Sequence, residues 1–256
     1  KGNCKVLKLP YSEAYLNYVQ AELTVWLLKM KKPPGIFSRV AHGVQGKINS
    51  WIPEKVHKAI TVAIEGMVKA VLTGSGWIIP RLKEQLEFQY LEDKVRTRIK
   101  WYRNTASAEG AITGAGGILL GLADFPAFLT IKMKMLFDIA ALYGMDTKDY
   151  TERLFLLYIF QLSFSSQKRR NELVGLIENW DTYKQNLPKD LNDFDWRTFQ
   201  LDYRDYMDLA KMAQLIPIIG APVGALTNYK LTQQLGEYAM NAYRLRLDPW
   251  KGGKKP

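Results

Sequence analysis

From Ser12 to about residue 247, the apolar residues of this chain recur every three or four positions, and no convincing stretch alternates in twos. A period near 3.6 lays one apolar stripe along a helix, whereas a period of two lays one apolar face along a strand. The pattern therefore predicts an all-α chain, a single multi-helix bundle with a glycine-rich helix hairpin at its centre. No unit of fixed length repeats.

The first helix spans 12–31, with Ser12 as N-cap and Tyr15, Val19, Leu23, Trp26 and Leu27 on one face. Lys29, Lys31 and Lys32 suit its C-terminal dipole, and Pro33-Pro34-Gly35 stops it. A second amphipathic helix, 36–51, lines up Ile36, Phe37, Val40, Val44, Ile48 and Trp51, with Arg39, His42 and Lys47 off that face. Pro53 opens a third, with Val56, Ile60, Ile64, Met67, Val68 and Val71 in register, ending near Gly74. A charged segment, 80–103, runs to Trp101 and Tyr102. A glycine-rich apolar run then leads to Asp124-Phe125-Pro126, where Asp124 is expected to cap a new helix that carries Pro126 in its first turn and ends at Gly144. Further helices are expected over 147–167, up to Trp180, over 198–216, and from the glycine- and proline-containing segment 217–227 to about 247; 181–196 reads as a polar, aromatic loop. The expected organisation is one helical domain over 1–250, with basic amphipathic helices 12–103 followed by a glycine-helix core 104–247 and a disordered tail 251–256.

Charge is unevenly placed. The net charge is +11, of which residues 1–103 carry +10 and residues 104–256 only +1. A basic segment of that kind attracts anionic headgroups or nucleic acid. No helix-turn-helix or other nucleic-acid motif is present, so nucleic acid is not expected as a partner. The single cysteine, Cys4, allows no internal disulfide and fits a reducing compartment. With His42 and His57 it is also too little for a Cys/His zinc site, and neither metal nor cofactor is expected. Uncharged runs of 14 residues, between Glu109 and Asp124, and 18 residues, between Lys211 and Lys230, are present. A membrane-spanning helix needs about 20 apolar residues, so an integral span is not expected, while interfacial insertion of 212–229 stays open.

Three constellations stand out. Gly110, Gly114, Gly117 and Gly121 are spaced to share one helical face, and Gly220 and Gly224 make a second small-residue face. Each glycine costs a helix about 1 kcal/mol relative to alanine, so close helix packing or a ligand groove must offset it. No Gly-Lys-Ser/Thr follows and no strand precedes, which excludes a phosphate loop and a dinucleotide fingerprint. The second set is polar: Glu109 and Asp124 bracket the glycine run, while Lys132 and Asn228 lie on apolar stripes. The plain reading is a capping Asp, a snorkelling Lys and a satisfied Asn. The sharper one is a polar pocket in which Lys132 pairs with Glu109 or Asp124 for acid–base chemistry or ligand binding. Were the run one continuous helix, the two acids would stand about 22 Å apart, so this reading requires a sharp bend between them. The third set is tryptophan in the basic region: Trp26, Trp51, Trp77 and Trp101. Trp with Lys and Arg on an amphipathic helix suits a membrane interface, whereas a ring on an apolar stripe fills the core. Lys31, Lys32, Ile36, Phe37, Arg39, Lys47 and Trp51 are the candidate membrane or partner surface. No Ser/His arrangement or other catalytic motif is found.

The run from Thr105 through Glu109 and Gly110 to Gly117, followed by Gly121-Leu122-Ala123-Asp124-Phe125-Pro126, resembles the EcsC family. The likeness continues in Tyr143-Gly144-Met145-Asp146, in 217–228 and in Ala242-Tyr243-Arg244-Leu245-Arg246, and shorter pieces lie at 52–57 and 72–75. It covers nearly the whole chain. The resemblance implies a bacterial protein encoded beside the subunits of an ABC transporter, with an accessory or regulatory role there and no assigned catalytic residue. The positions that match its pattern are Glu109, Gly114, Gly117, Gly121, Asp124, Pro126, Gly220 and Asn228. The expected function is a peripheral membrane accessory protein at the cytoplasmic face of the plasma membrane, meeting anionic lipid or transporter subunits. The alternative is an enzyme or a small-ligand or lipid-binding protein built on Glu109 and Asp124. The oligomeric state is not legible.

Overall fold

The computed structural model describes residues 12–33, 54–74, 78–82, 86–114, 117–187 and 221–247, with the side chains of 55–57, 110–114, 117–123 and 221–224 left aside. Eight α-helices make up this part: α1 (Glu13–Met30), α2 (Glu54–Thr73), α3 (Phe88–Gly114), α4 (Gly117–Leu142), α5 (Tyr150–Phe164), α6 (Gln167–Glu178), α7 (Trp180–Tyr183) and α8 (Ala221–Leu247). A single 3-10 turn, Lys184–Asn186, follows α7. Among the described residues there is no strand.

Local chemistry sets the ends of these helices. Ser12, Asp149 and Ser166 cap α1, α5 and α6 by accepting from the amides of Tyr15, Thr151 and Arg169. Gly74 and Gly144 adopt positive φ, +75° and +77°. At Gly144 the amides of Gly144 and Met145 return to the carbonyls of Ala141 and Ala140, the Schellman arrangement that only a residue tolerant of left-handed backbone closes cheaply. The guanidinium of Arg153 donates two bonds to the last-turn carbonyl of Leu72, so α5 satisfies the C-terminus of α2.

The core forms around α5, in which every residue from Glu152 to Phe164 is buried. A helix apolar on all sides must lie inside a bundle. Around it, α3 and α8 make the most extensive pairing, α3 also packs on α4, α2 packs on α4 and α5, and α6 joins α1, α5 and α8. Of the stripes expected from the sequence, Val19, Leu23 and Trp26 on α1 and Ile60, Ile64, Met67, Val68 and Val71 on α2 are buried, Tyr15 and Leu27 are half-buried, and Met30 joins the buried face of α1.

Four boundaries differ from expectation. The charged segment does not stop at 103: α3 continues into the glycine run to Gly114. Asp124 caps nothing, because α4 starts at Gly117 and carries Pro126 in its interior. Pro126 is exposed. Phe125, Phe128 and Leu129 are buried beside it, so the proline lies on the outer side of a helix held by its apolar side. Similarly, α8 begins within the segment expected to precede it, with Pro222 in its first turn, where a missing amide costs nothing. Part of the expected loop at 181–196 is the end of α7 and the 3-10 turn. Helices 36–51 and 198–216 lie outside the described residues.

Candidate functional site

The polar set around the glycine run converges in the fold. Lys132, on the buried face of α4, is fully inaccessible, and its Nζ donates to Asn228 Oδ1 on α8 at 2.8 Å. The ring of Phe128, one turn back, lies 5.6 Å from the ammonium. Burial pushes the Lys132 amine down to about 7, opposed in part by the charge of Glu109. Glu109 on α3 is raised in turn, first by burial and also by Asp124, while Lys132 pulls it down. The two acids thus interact across a pair of packed helices, and the distance that separates them along one continuous helix does not apply. On α8, Asn228 and Thr232 stand one turn apart, both fully buried, and Asn228 Nδ2 and Thr232 Oγ1 have no hydrogen-bond partner among the described residues.

This arrangement overturns the plain reading of those residues. Lys132 does not snorkel, Asp124 is not a cap, and one donor group of Asn228 finds no partner among the described residues. The pairing expected for Lys132 was with a carboxylate; its hydrogen bond goes instead to an amide, and Glu109 acts on it through charge. An amine that deprotonates near neutrality is a base or a nucleophile rather than a fixed cation. Among the described residues no three His, Cys, Asp or Glu side chains gather as metal ligands. Gly114 ends α3, Gly117 begins α4 and Gly121 follows one turn later.

A second polar centre was not anticipated. Glu92 of α3 is fully buried and receives Arg244 Nε and Nη2 of α8 at 2.7 and 2.6 Å, a two-pronged ion pair. Tyr15 and Tyr143 hydroxyls also donate to it, at 2.7 and 3.3 Å. Burial and then the bond to Glu92 push Tyr15 up to about 12. Next to this centre Tyr243, stacked on Tyr143 at 5.1 Å, donates to buried Glu152, which also accepts from Arg246. The signal was available: Glu92 falls in register with Phe88, Val95 and Ile99 on the buried stripe of α3. An acid on an apolar stripe calls for a buried cation on a neighbouring helix.

The surface candidates divide. Lys32 is exposed, whereas Lys31 bonds Glu178 of α6 at 2.7 Å. Ile36, Phe37, Arg39, Lys47 and Trp51 lie outside the described residues, as does Trp77. Trp26 is a core residue packed edge-on against Tyr238. Trp101 is 56% exposed and Tyr90 54%. They flank Lys94 and Arg98 on one face of α3, with Lys94 Nζ 4.9 Å from the Tyr90 ring.

The described part is an all-helical bundle, and the chain belongs to the EcsC protein family, whose profile matches residues 17–247. It is similar to Protein EcsC of Bacillus subtilis (strain 168), at 44% identity over 228 residues, 88% of this chain and 93% of that protein. It is also similar to the Uncharacterized protein YdbA of the same organism, at 34% identity over 223 residues, 78% of this chain and 80% of that one. No solved structure matches it significantly. No described helix is long and apolar enough to cross a membrane.

Proposed function

We propose that this protein is a peripheral accessory protein that rests on an anionic membrane surface at its cytoplasmic side, beside an ABC transporter, as its family resemblance implies. The observation that supports this reading is the outer face of α3, where exposed Tyr90 and Trp101 flank Lys94 and Arg98, the latter 3.6 Å from Asp138. Soluble cores have no use for an exposed Trp and Tyr within one basic stripe, whereas a membrane interface takes the rings at headgroup depth and the cations at the phosphates. The exposed Lys58 and Lys69 of α2 belong to the same basic half of the chain. Co-sedimentation with vesicles is the test. Binding to phosphatidylglycerol vesicles, weak binding to phosphatidylcholine, and at least a fivefold loss in Trp101→Ala/Lys94→Glu are expected. Equal binding to both vesicles, or an unaffected double variant, would refute this face.

One observation favours a second reading, a small-ligand site or an enzyme around Glu109 and Asp124: Asn228 Nδ2 and Thr232 Oγ1, without a partner among the described residues, beside Lys132, whose amine burial pushes down to about 7. On that reading a small carbonyl or carboxylate compound raises the melting temperature of the wild type and not of Lys132→Met. A screen of such compounds without any shift removes it.

A further inference from the structure

Helices α1, α3 and α8 leave a groove of about 790 Å3 between them, within the size range of small-molecule sites. Its two ends differ in charge. At one end Arg244 meets Glu22 at 3.1 Å and Glu92 at 2.6 Å, and Arg96 approaches Asp93, Glu92 and Glu22 at 3.2, 3.4 and 3.8 Å, so both cations are matched by carboxylates. At the other end stand Lys29, two turns along α1 from Glu22, and Lys100 and Arg103, one and two turns along α3 from Arg96. Arg103 bonds the amide of Gln233 at 2.9 Å and covers the Tyr229 ring at 4.3 Å, and neither it nor either lysine meets a carboxylate among the described residues. The acid nearest this end in sequence, Glu237, accepts from Gln233 Nε2. Between the ends the floor is apolar: Trp26, Ile99 and Met240 are buried, and Val25 is 67% exposed above them.

We propose that this groove binds one anionic amphiphile, its charged head held by Lys29, Lys100 and Arg103 and its apolar body laid against Val25, Trp26, Ile99 and Met240. Charge complementarity selects the occupant. A free inorganic anion uses the cations and leaves the apolar floor wet. A neutral chain covers the floor and leaves three cations unmatched. An acidic peptide needs positive charge along its length, whereas this groove has its excess at one end only. A molecule with a single anionic head and a single apolar body matches both features.

The site is independent of the membrane reading. On α3 the groove residues Arg96, Ile99, Lys100 and Arg103 flank the buried stripe on one side, and the Tyr90–Trp101 face flanks it on the other, as 100° per residue requires. The test therefore uses a monomeric ligand and no vesicles. Titration calorimetry of the full chain with dodecyl phosphate below its micelle threshold is compared with inorganic phosphate and with dodecyl maltoside. Expected is one saturable site, at least tenfold tighter for dodecyl phosphate than for either control. Lys29→Glu/Lys100→Glu and, separately, Val25→Asp weaken it at least tenfold. Lys134→Glu/Lys168→Glu, the same charge change at exposed positions elsewhere, leaves it within twofold. All of these are surface positions, so the helical circular-dichroism spectrum stays that of the wild type. Unchanged affinity in both groove variants, equal affinity for the neutral detergent, phosphate binding as tight as dodecyl phosphate, or no binding together with capture of an acidic helical peptide would each overturn the proposal.

Discussion

Lys132 and Glu92 are both fully buried ionisable groups, and the fold treats them in opposite ways. Arg244, Tyr15 and Tyr143 bond both oxygens of Glu92. Removing one partner of such a pair strands the other in a medium of low dielectric. Glu92→Gln should therefore lower stability by about 3–5 kcal/mol in urea unfolding; a loss below about 1 kcal/mol would mean the pair contributes little. Lys132 has one hydrogen bond, to an amide, and gives up its proton near pH 7 instead. The unfolded chain holds that proton to the ordinary 10.5, so between about 7 and 10.5 the unfolded state binds more protons than the folded one. Stability then rises with pH through this window and is lost as pH falls toward 7. The stability of the wild type relative to Lys132→Met should grow by about 1 kcal/mol per pH unit between roughly pH 7.5 and 9.5. A difference that is flat with pH would show that the amine is not displaced from its ordinary range.

At the scale of elements, α3 against α8 is the pairing on which the rest depends. Both are 27 residues long, and they carry Glu92 and Arg244 as well as two walls of the amphiphile groove. They come close together at Gly236, where an added Cβ would come within 2.7 Å of both Ile99 branches. Ile99 is buried and β-branched, so it has little room to yield. Gly236→Ala should cost about 1–3 kcal/mol despite the better helix propensity of alanine, read as a lower urea midpoint with an unchanged slope. A neutral or stabilising result would mean the helices separate freely. This glycine lies outside both small-residue faces recognised in the sequence. It sits singly on a helix, and only the neighbouring helix shows why it must be small.

At the scale of the molecule, the charge asymmetry read from the sequence acquires a location. Of the basic half, α3 offers two flanks, one with exposed rings and one with a groove, while its third side is the core. Docking through the ring-bearing flank predicts steep salt dependence for vesicle association, since exposed charges are screened over about 8 Å at physiological ionic strength. Association that survives high salt would point to apolar insertion instead. The N-terminal and C-terminal helices are tied together by Glu22 with Arg244, and α1 to α6 by Lys31 with Glu178, so the basic segment is not an appended arm.

The all-helical class, the buried stripes of α1 and α2, the Ser12 cap and the stops at Gly74 and Gly144 were legible in the sequence because each depends on neighbours within one or two turns. Asp124 and Pro126 misled for the same reason. Locally they spell a helix start, but burial of Phe125, Phe128 and Leu129 on one side carries the helix through. The convergence of Glu109, Asp124, Lys132 and Asn228, the Glu92–Arg244 pair and the groove between α1, α3 and α8 were decided only by the tertiary structure. Each joins residues that are between 15 and 222 positions apart. A period of 3.6 states which residues turn inward, while which helix they meet there depends on how whole helices pack.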